Sequence, residues 1–287
     1  MQRYKILHRT YYNFAGPVRL GPHSLLLRPR EGHELRVESA LLMTTPSSSV
    51  RWHRDVEDNS VAIATFEGTT SQLLIESSVF VEQYNQVPLD FLVADYAVDY
   101  PFAYTPEDEV VLAPYRKVAA GAPGERARLD EWALNVWHTG QRTQTAALLQ
   151  RLASQIEQTI SYQRREEPGV QTAEATLSRG TGSCRDSAFL FMQIARGWGF
   201  AARFVSGYLN SVPSANDFGA THAWAEVFLP GAGWKGFDPT LGAIVGADHI
   251  AVAVSRSPES VPPVAGSFTG PPGGGTLEVG VWVTPLS

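Results

Sequence analysis

The chain has 287 residues, of which 44% are hydrophobic and 18% charged, with a formal net charge of −6 and a single cysteine. That length supplies apolar material for two modest domains or one large one, while the acidic balance lacks the basic face that nucleic-acid binding calls for. No run of about 18 apolar residues is present to cross a membrane, and one cysteine closes off an intrachain disulfide and a thiolate-rich zinc site.

The first hundred residues read as β. Short β-rich runs at Tyr4–His8, Leu35–Leu42, Val61–Phe66 and Leu73–Val81 alternate with turn signals at Gly16-Pro17, Gly21-Pro22, Glu31-Gly32, 46–49 and 55–60. Strands at this spacing predict a sandwich or barrel. From Val87 to Gly124 the prolines Pro88, Pro101, Pro106, Pro114 and Pro123 punctuate a connection, the natural place for a domain boundary.

The centre reads as helical. Glu125–His138 places Leu129, Trp132, Ala133, Val136 and Trp137 on one face, and Thr145–Tyr162 does the same with Leu148, Leu149, Leu152, Ile156 and Ile160. Ser183–Trp198 predicts a third helix, ending at Gly197-Trp-Gly199. Strands then return at Ala202–Leu209, His222–Leu229 and Trp234–Phe237, so helices followed by antiparallel strands predict an α+β arrangement. After the Pro271–Gly275 loop, Thr276–Val283 predicts a closing strand whose sheet the sequence does not specify. The divisions expected are therefore 1–100, a connection over 101–124, a catalytic domain over 125–255, and a Pro/Gly-rich tail over 256–287.

Three segments carry chemistry. Cys184 follows a Gly180-Thr-Gly-Ser turn and opens a helix, where backbone N–H groups and the positive dipole end favour a thiolate. His222 begins one predicted strand and Asp238 ends the next, so a hairpin can set the carboxylate beside one ring nitrogen and leave the other for sulfur. A thiol activated by an oriented imidazole attacks acyl and amide carbons. The Cys184 backbone N–H is the default oxyanion donor, and Tyr162 or Gln163 is a candidate for the second. Each residue also has a plainer reading: Cys184 as a buried small apolar side chain, Asp238 before Pro239 as a turn former. Asp186 reads as a first-turn acid complementing the helix dipole, and Trp224 and Trp234 as core or cleft walls.

Other chemistries find no support. Gly197-Trp-Gly-Phe-Ala-Ala202 ends a helix where a dinucleotide fingerprint must open one. No His-Glu-x-x-His pair, Gly-x-Ser-x-Gly elbow, Walker A loop or calcium loop is present, so no cofactor and no metal are expected. The start, Met1-Gln-Arg-Tyr-Lys-Ile-Leu-His8, lacks a signal-peptide apolar region, and with the free thiol this points to the cytoplasm.

Gly-Ser-Cys184-Arg-Asp, Thr-His222-Ala-Trp-Ala-Glu-Val and Phe-Asp238-Pro-Thr together resemble the core motifs of the bacterial transglutaminase-like superfamily of papain-like thiol enzymes. His8-Arg-Thr-Tyr-Tyr-Asn-Phe14 and Leu27-Arg-Pro-Arg30 resemble the β-sandwich preceding the catalytic domain in one bacterial branch. The resemblance implies an N-terminal antiparallel β-sandwich followed by a papain-like α+β domain, with Cys184 as nucleophile, His222 as base then acid, and Asp238 as orienter. It also implies that the stretch holding Asp248-His249-Ile250 returns near the cleft, which makes His249, with Trp224, a candidate substrate-side residue. The activity expected is cleavage of a peptide, isopeptide or carboxamide bond through a thioester, hydrolysis being favoured. A transamidase using an amine acceptor and a non-catalytic binding module on the same fold stay open, as do the substrate and the oligomeric state.

Overall fold

Period-two burial governs the first 83 residues, and it builds β1 (Gln2–Leu20), β2 (His23–Leu25), β3 (Leu35–Thr45), β4 (Ser48–Arg54), β5 (Ser60–Phe66) and β6 (Thr70–Gln83). In the computed structural model the described residues are all except 85, 86, 88, 120–123, 166, 168, 211–220, 272–274 and 287. Most of the Pro271–Gly275 loop, and parts of the 87–124 connection, lie outside them. Along β6, Leu73, Ile75, Ser77, Val79, Val81 and Gln83 point inward in strict alternation.

The central segment contains β7 (Asp99–Tyr100), α1 (Pro106–Arg116), α2 (Glu125–Ala133), β8 (Thr143–Gln144), α3 (Thr145–Thr159), β9 (Ser161–Tyr162), α4 (Ala173–Arg179), β10 (Thr181–Gly182) and α5 (Cys184–Gly197). It is followed by β11 (Ala202–Leu209), β12 (His222–Leu229), β13 (Gly233–Asp238), β14 (Ala243–Ile244) and β15 (His249–Ser255), and then by β16 (Val264–Ala265), β17 (Phe268–Thr269) and β18 (Gly275–Leu286).

Two sheets make the N-terminal sandwich. One has the order β17-β1-β6-β3, with β18 also paired to β1; the other has the order β16-β2-β5-β4. The closing strand is thus β18, running antiparallel to β1 from Arg3↔Leu286 to Phe14↔Gly275. Val18, Leu20, Leu25, Leu27, Ala62, Ala64, Leu73 and Ile75 fill the space between the two sheets. Each large aliphatic group buried there stabilises the sandwich by about 1.5–3 kcal/mol.

The other ends of β1 and β6 turn a second apolar patch outward. Tyr4, Ile6, Val79 and Val81 pack with Leu35 and Val37 against Tyr208, Ile250 and Val252 of β11 and β15. Between the two patches sits a polar joint: His8 Nε2 meets Thr10 Oγ1 at 3.0 Å, and Tyr208 Oη meets His8 Nδ1 at 3.2 Å. Burial pushes His8 down to about 4, so this imidazole is neutral at physiological pH.

The five-stranded antiparallel sheet β14-β13-β12-β11-β15 backs the catalytic half. α5 lies across β12, where Ala223 and Ala225 are small enough to let the helix approach, and Phe191 stacks on Phe237 at 5.7 Å. Arg196, near the end of α5, is buried and donates to the carbonyls of Ala202, Lys117 and Arg256, tying the helix to β11. Burial, with the nearby Arg256 charge, lowers its pKa to about 10.

Several boundaries differ from the sequence expectation. Gly16-Pro17 does not end a strand: β1 runs on to Leu20, and its pairing with β6 shifts register between Asn13 and Val18. Pro17 lies in that irregularity, where a missing ladder N–H costs little. The proline-rich connection holds α1, because Thr105 caps the Asp108 N–H and Pro106 occupies the first turn, where a proline is tolerated. The predicted Glu125–His138 helix stops at Ala133. α3 stops at Thr159, since Ser161 and Gln163 donate to Gly180 and Gly182, drawing the chain into a parallel pairing of β9 with β10.

Candidate active site

The turn before Cys184 is built by its glycines. Gly180 closes α4 with φ of 65°, a conformation that L side chains rarely adopt. At Gly182, a Cβ would stand 2.9 Å from that of Asp186, so only glycine lets the two segments touch. Ser183 then caps α5 and Cys184 occupies its first turn, 8% exposed. The first N–H groups of a helix have no intrahelical acceptor, so the Cys184 amide is available to an oxyanion.

Asp186 locks this turn. Its carboxylate, fully buried, accepts from the Ser183 N–H and hydroxyl at 2.8 Å each, from the Gln171 N–H at 2.7 Å and from Arg165 Nη1 at 2.7 Å. Burial alone would raise its pKa, but the amides of Gln171 and Ser183 and the Arg165 guanidinium hold it below the usual carboxylate range. Asp186 is therefore the first-turn acid the sequence suggested and also the clamp joining α5 to the 165–171 segment.

His222 begins β12 opposite Gly207, and Asp238 ends β13. His222 Nε2 lies 2.6 Å from Asp238 Oδ2, and the Cys184 side chain is near enough to the imidazole to raise its pKa. The structure thus bonds imidazole to carboxylate and sets the thiol beside them. Burial opposes a charge on His222, but the bond to Asp238 and the influence of Cys184 prevail and raise its pKa to about 10. Asp238 is fully buried, and burial would raise its pKa; its bonds to His222 and His249 instead hold it far below the usual range. Its Oδ1 accepts from the N–H groups of Thr240 at 2.8 Å and Leu241 at 3.2 Å, the Asx turn typical of an Asp-Pro-Thr sequence.

The remaining candidates fall in different places. Tyr162 and Gln163 lie beside Gly182, next to the cysteine turn, with both side chains exposed. The Gln163 N–H is engaged by the Gly182 carbonyl at 2.8 Å, so only its side-chain amide could reach an oxyanion. Trp224 is 1% exposed and packs edge-on against His249, their ring centres 5.2 Å apart, behind the imidazoles rather than open to a substrate. His249, 7% exposed, likewise turns to Asp238 Oδ2 at 3.0 Å rather than outward. Its burial follows from β15 pairing with β11, which sequence order alone does not reveal.

Among the described residues, His222, Asp238 and His249 also form a cluster of donors close enough to hold a cation, their ligand atoms lying within 4.8 Å of one another. Those atoms are already joined by hydrogen bonds, and a metal would have to replace the shared protons. Sequence reasoning missed Gln83, Arg165, Gln171 and Gly246 as supports of the site. Only the 165–171 segment had a signal, the Ser-Cys-Arg-Asp motif needing a partner for its acid.

A helix bringing a cysteine to an antiparallel sheet, behind an N-terminal β-sandwich, is the transglutaminase-like arrangement. The bacterial transglutaminase-like N-terminal region matches residues 4–82, and the transglutaminase-like superfamily matches residues 133–239. The chain belongs to the transglutaminase-like superfamily and carries the bacterial N-terminal region. An uncharacterized protein of Mycobacterium leprae is 24% identical over 309 residues, covering 100% of both chains. One of Mycobacterium bovis is 28% identical over 309 residues, covering 99% of this chain and 93% of its own. A crystal structure described as a putative cysteine protease from Cytophaga hutchinsonii shares the fold, with a TM-score of 0.71 at 16% identity over 100% of this chain and 91% of that one. No helix among the described residues is long and apolar enough to cross a membrane.

Proposed function

We propose that the protein is a cysteine-nucleophile hydrolase that cleaves a peptide, isopeptide or carboxamide bond, with Cys184, His222 and Asp238 as its catalytic residues. The observation that supports this reading is the His222 imidazole bonded to the buried Asp238 carboxylate, with the Cys184 thiol near enough to raise the pKa of the same ring. With its proton already resting on His222, the Cys184 thiolate attacks the carbonyl carbon, while the oxygen takes negative charge beside the Cys184 amide. Collapse of this adduct breaks the C–N bond, and His222 gives the proton to the departing amine. Water then attacks the thioester, His222 takes the water's proton, and the C–S bond breaks to release acid and thiol. Asp238 holds the imidazole in the required orientation throughout. A cytoplasmic setting fits this chemistry because it keeps the one cysteine reduced.

The test begins with iodoacetamide alkylation of Cys184 across pH, comparing wild type with His222→Ala. Rapid labelling well below pH 8 that collapses in the variant is the expected result; an ordinary thiol profile in both proteins defeats the reading. Peptide and carboxamide substrates, offered with and without an excess primary amine, then separate the two fates of the thioester. Released acid is expected, whereas amine incorporation as the main product replaces hydrolase with transamidase.

A further inference from the structure

Asp238 serves two imidazoles, and the chemistry above employs only one. His249 Nε2 lies 3.0 Å from Asp238 Oδ2, the same oxygen that His222 Nε2 meets at 2.6 Å. The other His249 nitrogen, Nδ1, accepts from the Gly246 N–H at 3.4 Å, so the ring's proton belongs on Nε2 and is donated to Asp238. With the Thr240 and Leu241 amides on Oδ1, both carboxylate oxygens are held from more than one direction. Rotating the carboxylate would break at least one of these bonds, and the orientation of His222 depends on it.

His249 is itself anchored from outside the catalytic half. Its carbonyl accepts from Gln83 Nε2 at 3.1 Å, and its neighbour Asp248 accepts from Tyr4 Oη at 3.1 Å and Asn210 Nδ2 at 2.8 Å. Gln83 and Tyr4 belong to β6 and β1, so the N-terminal sheet grips the strand end that carries this imidazole. The ionisable groups around the ring are His222 and Asp238, while the Asp248 carboxylate is bound to Tyr4 and Asn210. No substrate can reach His249 directly, because it is 7% exposed and packed against Trp224.

We propose that His249 is a positioning residue that acts on His222 through Asp238, and that the N-terminal sheet holds it there through Gln83 and Tyr4. The inference rests on the Cys184–His222–Asp238 reading and gives the sandwich a part in the active site. Removing a donor that fixes the group orienting a catalytic residue typically changes reactivity by about 10–100-fold.

Two isosteric variants test it. In His249→Gln the amide nitrogen can occupy the place of Nε2 and still donate to Asp238. In His249→Asn the amide reaches only the Nδ1 position, where it can accept from Gly246 but cannot reach the carboxylate. The measurement is the alkylation rate of Cys184 between pH 5 and 9, alongside wild type and His222→Ala, with melting temperatures as the folding control. The Asn variant is expected to label roughly tenfold more slowly at low pH, and the Gln variant to stay within about threefold of wild type. If both variants keep the wild-type profile while His222→Ala loses its low-pH limb, the positioning role is overturned and the base assignment stands. If His222→Ala matches wild type, the base assignment fails and this inference falls with it. Should the Asn variant not fold, 15N-histidine NMR of the wild-type protein decides the matter: His249 as the Nε2–H tautomer is expected, and an Nδ1–H tautomer overturns the proposal.

Discussion

At its first turn, α5 holds Cys184 among buried polar groups that are almost fully paired: Asp186 takes bonds from Ser183, Gln171 and Arg165, and Asp238 from His222, His249 and two amides. Past its last turn, Trp198 and Gly199 border clefts of about 430 and 530 Å³ lined by Tyr100, Phe102, Trp137 and Phe200. Both clefts lie at the end of the helix away from the cysteine. These clefts and the groups suited to chemistry are separate features of the helix. The first follows from how aromatic rings pack, and the second from donors and acceptors fixed around one sulfur before any substrate arrives.

The contrast can be broken by substitutions at either end, and the largest effect belongs to the nucleophile. Cys184→Ala should lower turnover on the order of a millionfold without moving the melting temperature by more than a degree or so; measurable residual cleavage at the wild-type rate would place the nucleophile elsewhere. Asp238→Asn keeps the shape but disturbs the tautomer of His222, and a loss in turnover of about 10³–10⁴-fold is expected from steady-state kinetics.

Asp186→Ala should cost roughly 3–5 kcal/mol in urea unfolding, because it strands Arg165 and the Ser183 and Gln171 amides. It should also slow alkylation of Cys184, as the first turn loosens. At the opposite end, Arg196→Met leaves three carbonyls without a donor, a loss of roughly 3 kcal/mol, yet should leave the labelling profile unchanged. The smallest effect is that of Tyr100→Phe, which removes the 2.6 Å bond to the Trp198 carbonyl and should cost about 1 kcal/mol. If either of these two slows Cys184 alkylation appreciably, the two ends are coupled and the contrast fails.

A pH series sharpens the same point. His222 is raised in the folded state to about 10, so its contribution to stability is complete below its unfolded pKa near 6.5 and fades as pH rises through the folded value. Asp238 is depressed, so its contribution is present above an unfolded value near 4 and is lost on acidification. The stability gap between wild type and His222→Gln should accordingly be widest between about pH 4 and 6.5 and narrow on both sides. A gap independent of pH would mean that the imidazole is not held in its charged form.

Legibility from sequence followed the range of the interaction. The helix opening at Cys184 was readable because its signals are local: glycines before it, a serine cap, an acid two residues after the cysteine. The strands carrying His222 and Asp238 were readable from period-two patterning and a short hairpin. Tyr162 and Gln163 could be named as candidate oxyanion donors but not placed against the turn, since the parallel pairing of β9 with β10 joins segments about twenty residues apart. His249 was suspected for the wrong side of the site. Its orientation depends on β15 leaving β13 and β14 to pair with β11 across the sheet, with a register shift between Ser206 and Gly207.

By itself, then, the sequence determined the main strands and helices, the one thiol, and the order in which thiol, imidazole and carboxylate enter the chain. Those properties reside in residue identity and in spacings of a few positions. Tertiary structure alone decided that β18 completes the first sheet beside β1, that β1 and β6 serve two cores, and that Asp238 is shared by two histidines held from the N-terminal side. These arise where segments distant in the chain meet, as in Gln83 with His249 or Arg3 with Leu286. Backbone pairing and burial between such distant segments leave no periodic trace in either one.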